Sequence, residues 1–227
     1  LVLLPGIVGD ADVFARQAPL GRQGPVFAVD LPADARLDRV EAIADAIVSV
    51  LPPGPLVVVG VSLGALVGRA LGAQLGARVR GVVGVGALPH PRYVPRRLRW
   101  LAPLLTALPE PVARRAWRYK LEQAMRAEGI GPAEAAQLLR RLPSAAVGRA
   151  RLRAVLHLRA DVGPPPAAWF RGQFEREAPW TVADAARDLP GTPVSTLPGG
   201  HRAHWTHAGA FNALVAAWWS TLARTRR

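Results

Sequence analysis

The sequence predicts an α/β domain: a mostly parallel β-sheet with helices on both faces, interrupted by an inserted helical segment. Three observations carry this reading. Apolar, largely β-branched runs at residues 1–4, 56–59 and 79–87 lack alternating polar positions, as strands buried on both faces do. Helical patterns separate these runs, and the order β-β-α-β-α-β implies parallel strands with crossovers. From Pro91 to about Asp161 the strand signal vanishes and Leu/Ala/Arg-rich helical patterns take over. With 227 residues, half of them apolar, the chain is long enough for one full core.

Residues 1–4 predict a short strand ending at Pro5-Gly6, and a helix is expected to start near Asp10 or Asp12. Residues 26–29 predict a second strand. Asp38 and Glu41 have the spacing of a capping box, opening a helix with Val40, Ile43, Ile47 and Val50 at helical intervals. The prolines at 52, 53 and 55 end it. A third strand and a small-residue helix follow, with Gly76 placed to cap that helix. The core resumes after Pro164-Pro165-Pro166. A strand is expected at residues 167–172, a helix at 181–189, a last strand at 193–197 and a closing helix from about Ala208. The parts are therefore a first core half (residues 1–90), a helical cap (91–163) and a second core half (164–227).

The chemistry centres on Gly60-Val61-Ser62-Leu63-Gly64, a G-x-S-x-G sequence between a buried strand and a helix. In that setting the serine occupies a tight, strained turn with its hydroxyl presented above the sheet edge. Gly60 and Gly64 are then required on steric grounds. A serine needs a base. His201, on a Gly-Gly loop after the last strand, is preferred over His204 and His207, while His90 and His157 read as structural or surface residues. The spacing of His201, His204 and His207 does not place three ligands on one helix face, so no metal site is expected. Glu175 is the preferred carboxylate to orient His201, and Glu177 and Asp161 are the alternatives. A surface ion pair of Glu175 with Arg171 or Arg176 would be the bland outcome. The amides of Leu63 and Ile7 are the expected oxyanion donors.

The chain has no Cys, which excludes disulfides and thiol nucleophiles. No apolar run is long enough to span a membrane and no signal peptide is recognised, so a soluble, cytoplasmic protein is expected. The net charge of +13 rests almost wholly on Arg. No aromatic-interleaved basic motif accompanies it, so no nucleic-acid partner is expected. The cap carries a cluster at Arg92, Arg96, Arg97, Arg99, Arg114, Arg115 and Arg118. It reads as a solvated face, or else as a docking surface for an acidic carrier protein, a coenzyme A phosphate or anionic lipid. The stripe Leu98, Leu101, Leu104, Leu105, Leu108 either packs cap helices together or lines an acyl pocket.

Taken together, Leu3-Leu4-Pro5-Gly6, Asp30-Leu31-Pro32, the elbow, Gly172-x-x-Glu175 and Gly199-Gly200-His201 resemble the α/β-hydrolase superfamily across nearly the whole chain. Leu3-Leu4-Pro5-Gly6 followed by residues 9–14 is similar to capped bacterial carboxylesterases and lipase-like members. There is some likeness to maspardin-type proteins and a more distant one to carrier-protein methyl ester esterases. The likeness begins at the third strand of that fold, so the first two strands have no counterpart, and the edge they leave is expected to be either exposed or covered by sequence upstream of Leu1. The resemblance implies a cofactor-independent serine hydrolase acting on a small acyl ester or thioester. A catalytically inactive binding module and an acyltransferase with the same triad are the alternatives.

Overall fold

The computed structural model describes residues 1–96, 108–177 and 179–224. Six parallel strands form one sheet: β1 (Val2–Leu4), β2 (Phe27–Ala28), β3 (Leu56–Val61), β4 (Val79–Val85), β5 (Ala168–Gly172) and β6 (Val194–Leu197). Their spatial order is β2-β1-β3-β4-β5-β6. This is an α/β-hydrolase fold. β2 forms one edge of the sheet, with Phe27 exposed.

The period-two geometry of a strand divides its side chains between two cores. Val2, Leu4, Leu56 and Val58 point into one, against α1 (Val40–Ile47) and α2 (Leu63–Leu75). Leu3, Val57, Val59 and Val61 point into the other, with Phe14, Phe211 and Val215. Both faces of β1 and β3 are thus dry, which is why their sequences carry no polar alternation. Among the described residues, three α-helices lie between β4 and β5: α3 (Glu110–Ala127), α4 (Pro132–Leu138) and α5 (Ala145–Leu156). Leu121, Met125, Ile130, Leu138, Leu139 and Leu142 pack there with Trp205 from the far end of the chain. α6 (Val182–Asp188), α7 (Ala203–Thr206) and α8 (Ala208–Arg224) complete the chain.

Several local expectations change. The helix after the first strand starts where expected, but Ala11–Arg22 is 3₁₀ and kinked at Phe14 rather than one α-helix, capped by Asp10 and containing Pro19. The second strand is only two residues long because its neighbour β1 offers few partners, Phe27 and Val29 donating to Leu1 and Leu3 carbonyls. Asp38 makes no capping box. Arg39 occupies the N-cap without a side-chain bond, and the Asp38 carboxylate instead accepts from Arg153 at 3.3 Å. Val50 is exposed because α1 tightens into a 3₁₀ turn at Val48–Val50, rotating it off the apolar face. A capping box forms instead at Thr181 and Asp184, opening α6.

Leu98, Leu101, Leu104 and Leu105 of the expected stripe, and Arg97 and Arg99 of the basic cluster, lie outside the described residues. Leu108 is exposed. Arg92 pairs with Asp188, and Arg118 with Glu122 one helical turn away, so part of the basic cluster is neutralised within the molecule. Among the described residues no helix is long and apolar enough to cross a membrane.

Candidate active site

β3 ends and α2 begins within one residue, and that residue is Ser62. Its φ of 53° and ψ of −122° make it, among the described residues, the one non-glycine held at positive φ, a conformation that costs of order 1–3 kcal/mol and persists only where packing imposes it. The imposing contacts are visible. A methyl group at Gly60 would sit 2.3 Å from the Ala65 backbone, and one at Gly64 would sit 2.2 Å from the Leu4 carbonyl oxygen. The elbow is so compact because the first turn of α2 presses against both its own strand and the end of β1. Gly64→Ala is predicted to destabilise the fold by about 3 kcal/mol, at the upper end of overpacking costs because the obstacle is backbone. Urea denaturation of the variant measures it.

Ser62 N–H donates to the Val85 carbonyl at 2.8 Å, which ties the elbow to the C-terminal end of β4. The next residue, Gly86, has a φ of +61°, and a methyl there would lie 3.3 Å from both His201 Nδ1 and Glu175 Oε2. Serine, histidine and carboxylate therefore border one two-residue stretch at the strand ends. His201 Nδ1 and Glu175 Oε2 are 2.9 Å apart, and the Glu175 side chain is fully buried. Its other oxygen accepts from Glu177 N–H at 2.7 Å. Arg171 donates to the Glu175 main-chain carbonyl at 3.1 Å rather than to its carboxylate.

The two alternative acids separate. Asp161 is exposed and pairs with Arg159 at 2.9 Å, because the turn after α5 carries it to the surface. Glu177 lies on the opposite side of the imidazole, 3.6 Å from Nε2. It also bonds Arg202 at 2.8 Å. Arg202 is buried, and Glu128 at the end of α3 accepts from both its guanidinium, at 2.5 Å, and its main-chain N–H, at 2.8 Å. Burial by itself would depress the His201 pKa, but the carboxylates of Glu177 and Glu175 outweigh it and push it up to about 9. Burial acts to raise the Glu177 pKa, and the charges of His201 and Arg202 more than reverse that. Glu128 and Arg202 were not legible as site residues, since only the fold brings α3 onto the histidine loop.

The other histidines fall elsewhere. His204 is buried between Phe14 and Phe211, and burial drops its pKa to about 3. His207 packs over Gly199, His90 caps the turn Pro91–Tyr93, and His157 is exposed at the end of α5. Among the described residues no cluster of three or more His, Asp or Glu side chains could hold a metal ion.

Leu63 is the first residue of α2. Ile7 sits in a turn closed by the Gly9 N–H donating to the Gly6 carbonyl at 2.9 Å. That turn lies against Ser62: a methyl at Gly6 would be 3.2 Å from Ser62 Cβ. A cavity of about 280 Å³ opens beside the histidine loop, bounded by Phe174, Glu177, Gly200 and His207 from the core and by Ala124 and Glu128 from α3.

No curated protein matches the sequence. Among solved structures, the enol-lactonase from Burkholderia xenovorans LB400 superposes with a TM-score of 0.73 at 19% identity, over 96% of this chain and 90% of that one. The malate-bound thermophilic esterase from Thermogutta terrifontis gives 0.73 at 18% identity, over 97% and 89%. A thioesterase domain from the curacin biosynthetic pathway gives 0.67 at 18% identity, over 94% and 89%. These likenesses establish the fold, and they do not bear on the maspardin resemblance. The sequence model of the alpha/beta hydrolase family matches residues 1–214, from the strand before the Ile7 turn to the middle of α8; the chain belongs to that family.

Proposed function

We propose that the chain is a serine hydrolase that cleaves carboxylic esters or thioesters through an acyl-enzyme on Ser62. The observation that carries this reading is the hydrogen bond between His201 Nδ1 and the buried Glu175 carboxylate, made at the strand ends that also hold Ser62 at positive φ. In this mechanism Ser62 Oγ attacks the acyl carbon as neutral His201 takes its proton at Nε2. Glu175 fixes the tautomer and stabilises the imidazolium that forms. The amides of Ile7 and Leu63 receive the charge developing on the carbonyl oxygen. His201 returns the proton to the departing alcohol or thiol, and water resolves the acyl-enzyme by the reverse sequence. Family membership and the esterase, lactonase and thioesterase neighbours support acyl transfer as the reaction class.

The reading is tested by hydrolysis of a series of p-nitrophenyl esters and acyl thioesters. Glu175→Gln is expected to lower kcat roughly 10⁴-fold, because the amide stabilises the wrong tautomer, while Asp161→Asn leaves it unchanged. Equal activity of wild type and Glu175→Gln would remove Glu175 from the mechanism. Absence of hydrolysis by the wild type across the whole series would favour a non-catalytic binding module instead.

A further inference from the structure

Arg151 lies in the middle of α5 with only 3% of its surface exposed. Its guanidinium reaches across to the core, and among the described residues its four hydrogen-bond acceptors are all main-chain carbonyls. Nη1 donates to Ile7 O at 3.0 Å and Val8 O at 2.6 Å. Nη2 donates to Leu31 O at 2.8 Å and Pro32 O at 3.1 Å. One side chain thus joins the turn after β1, the loop after β2 and the helical segment between β4 and β5. Gly9 is fitted to the same contact: its φ is +76°, and a methyl there would fall 2.0 Å from Nη1.

Burying a cation without a bonded carboxylate is costly. Desolvation lowers the Arg151 pKa to about 10, which still leaves it charged at neutral pH. A hydrophobic residue would fill this space at less cost, so what the guanidinium contributes is directional. The carbonyls of Ile7 and Val8 belong to consecutive peptide units and converge on one nitrogen, an arrangement their dipoles would oppose without a cation between them. Peptide groups are planar, so holding the Ile7 carbonyl fixes the plane that follows Ile7. The bond from Gly9 N–H to Gly6 O, 2.9 Å, fixes the plane that precedes it. Between two held planes the direction of the Ile7 N–H is set.

We infer that Arg151 is a positioning residue that preorganises the Ile7 amide as an oxyanion donor, coupling the helical segment to the catalytic turn. This rests on the reading of Ser62 as nucleophile and Ile7 as oxyanion donor. Arg151 touches no reacting atom; it acts through the backbone of residues 7 and 8.

The test compares wild type, Arg151→Lys, Arg151→Met and Gly9→Ala for ester turnover, for inhibition by an aryl trifluoromethyl ketone, and for thermal midpoint. Ser62 Oγ adds to the ketone carbon and its proton passes to His201, so the resulting hemiketal oxygen occupies the oxyanion position. A lysine keeps the charge but cannot bridge four carbonyls. Gly9→Ala displaces the guanidinium without altering α5 but also strains the Ile7 turn at a φ of +76°. Arg151→Met, which removes the donors and leaves the bond from Gly9 to Gly6 in place, keeps the test decisive if the lysine variant folds poorly. All three variants are expected to lose about 10- to 100-fold in kcat, less than deletion of a whole oxyanion donor costs. Ketone affinity should fall by the same factor while KM stays nearly constant. A folded variant whose kcat and ketone affinity match wild type, whatever its thermal midpoint, overturns the inference while the Ser62 reading stands. If the wild-type enzyme hydrolyses the ester but binds no ketone and loses nothing on Ser62→Ala, the underlying reading fails, and the inference with it.

Discussion

Ser62→Ala is expected to lower kcat for short p-nitrophenyl esters by about 10⁴- to 10⁶-fold, the range seen when a triad nucleophile is removed. The fold should survive the change. The Ser62 side chain makes no capping bond to α2, and the strain at position 62 is imposed by Gly60, Gly64 and the β4 end rather than by its hydroxyl. Circular dichroism and the thermal midpoint should therefore match wild type while labelling by a fluorophosphonate disappears. An alanine variant that still turns over ester at the wild-type rate would place the nucleophile elsewhere.

The second large effect is on pH. His201 can accept a proton only when neutral, and with its pKa held near 9 about 1% is neutral at pH 7 and half at pH 9. Activity is therefore expected to rise roughly 50-fold between pH 7 and 9. The charged groups around the ring are Glu175 and Glu177 on the loop after β5, Arg202 beside it, and Glu128 from α3 acting through Arg202. Glu177→Gln removes the carboxylate with the largest raising effect. The rising limb should move toward lower pH, with more activity at pH 7. A profile unmoved by that substitution would mean that Glu177 does not govern the imidazole. Stability runs the other way. The raised pKa means that His201 in its ion pairs contributes stability that is fully present below about pH 6.5, the ordinary value for His. That contribution is lost as pH rises through about 9. The enzyme should thus gain activity and lose stability over the same interval, and urea midpoints at pH 7 and 9 check the second half.

The elbow was legible in the sequence because the G-x-S-x-G spacing is itself a short-range pattern. Gly60 is dictated by the Gly64 and Ala65 backbone a few residues on, whereas Gly64 is dictated by the Leu4 carbonyl of the neighbouring strand, and no side chain could relax either contact. Strands β1 and β3 and the buried end of β4, residues 82–85, were legible because a strand covered on both faces excludes polar residues. Where a short-range pattern competed with a tertiary partner, the pattern misled. Asp38 has capping-box spacing, yet Arg153 holds its carboxylate. Val50 continues the spacing of Ile43 and Ile47, yet the helix tightens before reaching it. The contacts that most distinguish this site were hidden entirely. Arg151 meets Ile7 across 144 positions and Arg202 meets Glu128 across 74. Among so many arginines, nothing local marks these two as buried, and only the docking of α3 and α5 onto the sheet edge reveals them.

Everything proposed for the chemistry depends on one covalent bond forming at one oxygen. Wild-type protein mixed with a slowly hydrolysed p-nitrophenyl ester, quenched in acid, digested and read by mass spectrometry tests it directly. An acyl adduct is expected on the peptide containing Ser62, formed faster at pH 9 than at pH 7 and missing in His201→Ala. An adduct on another residue, or release of p-nitrophenol at a steady rate with undiminished turnover in His201→Ala, would contradict it.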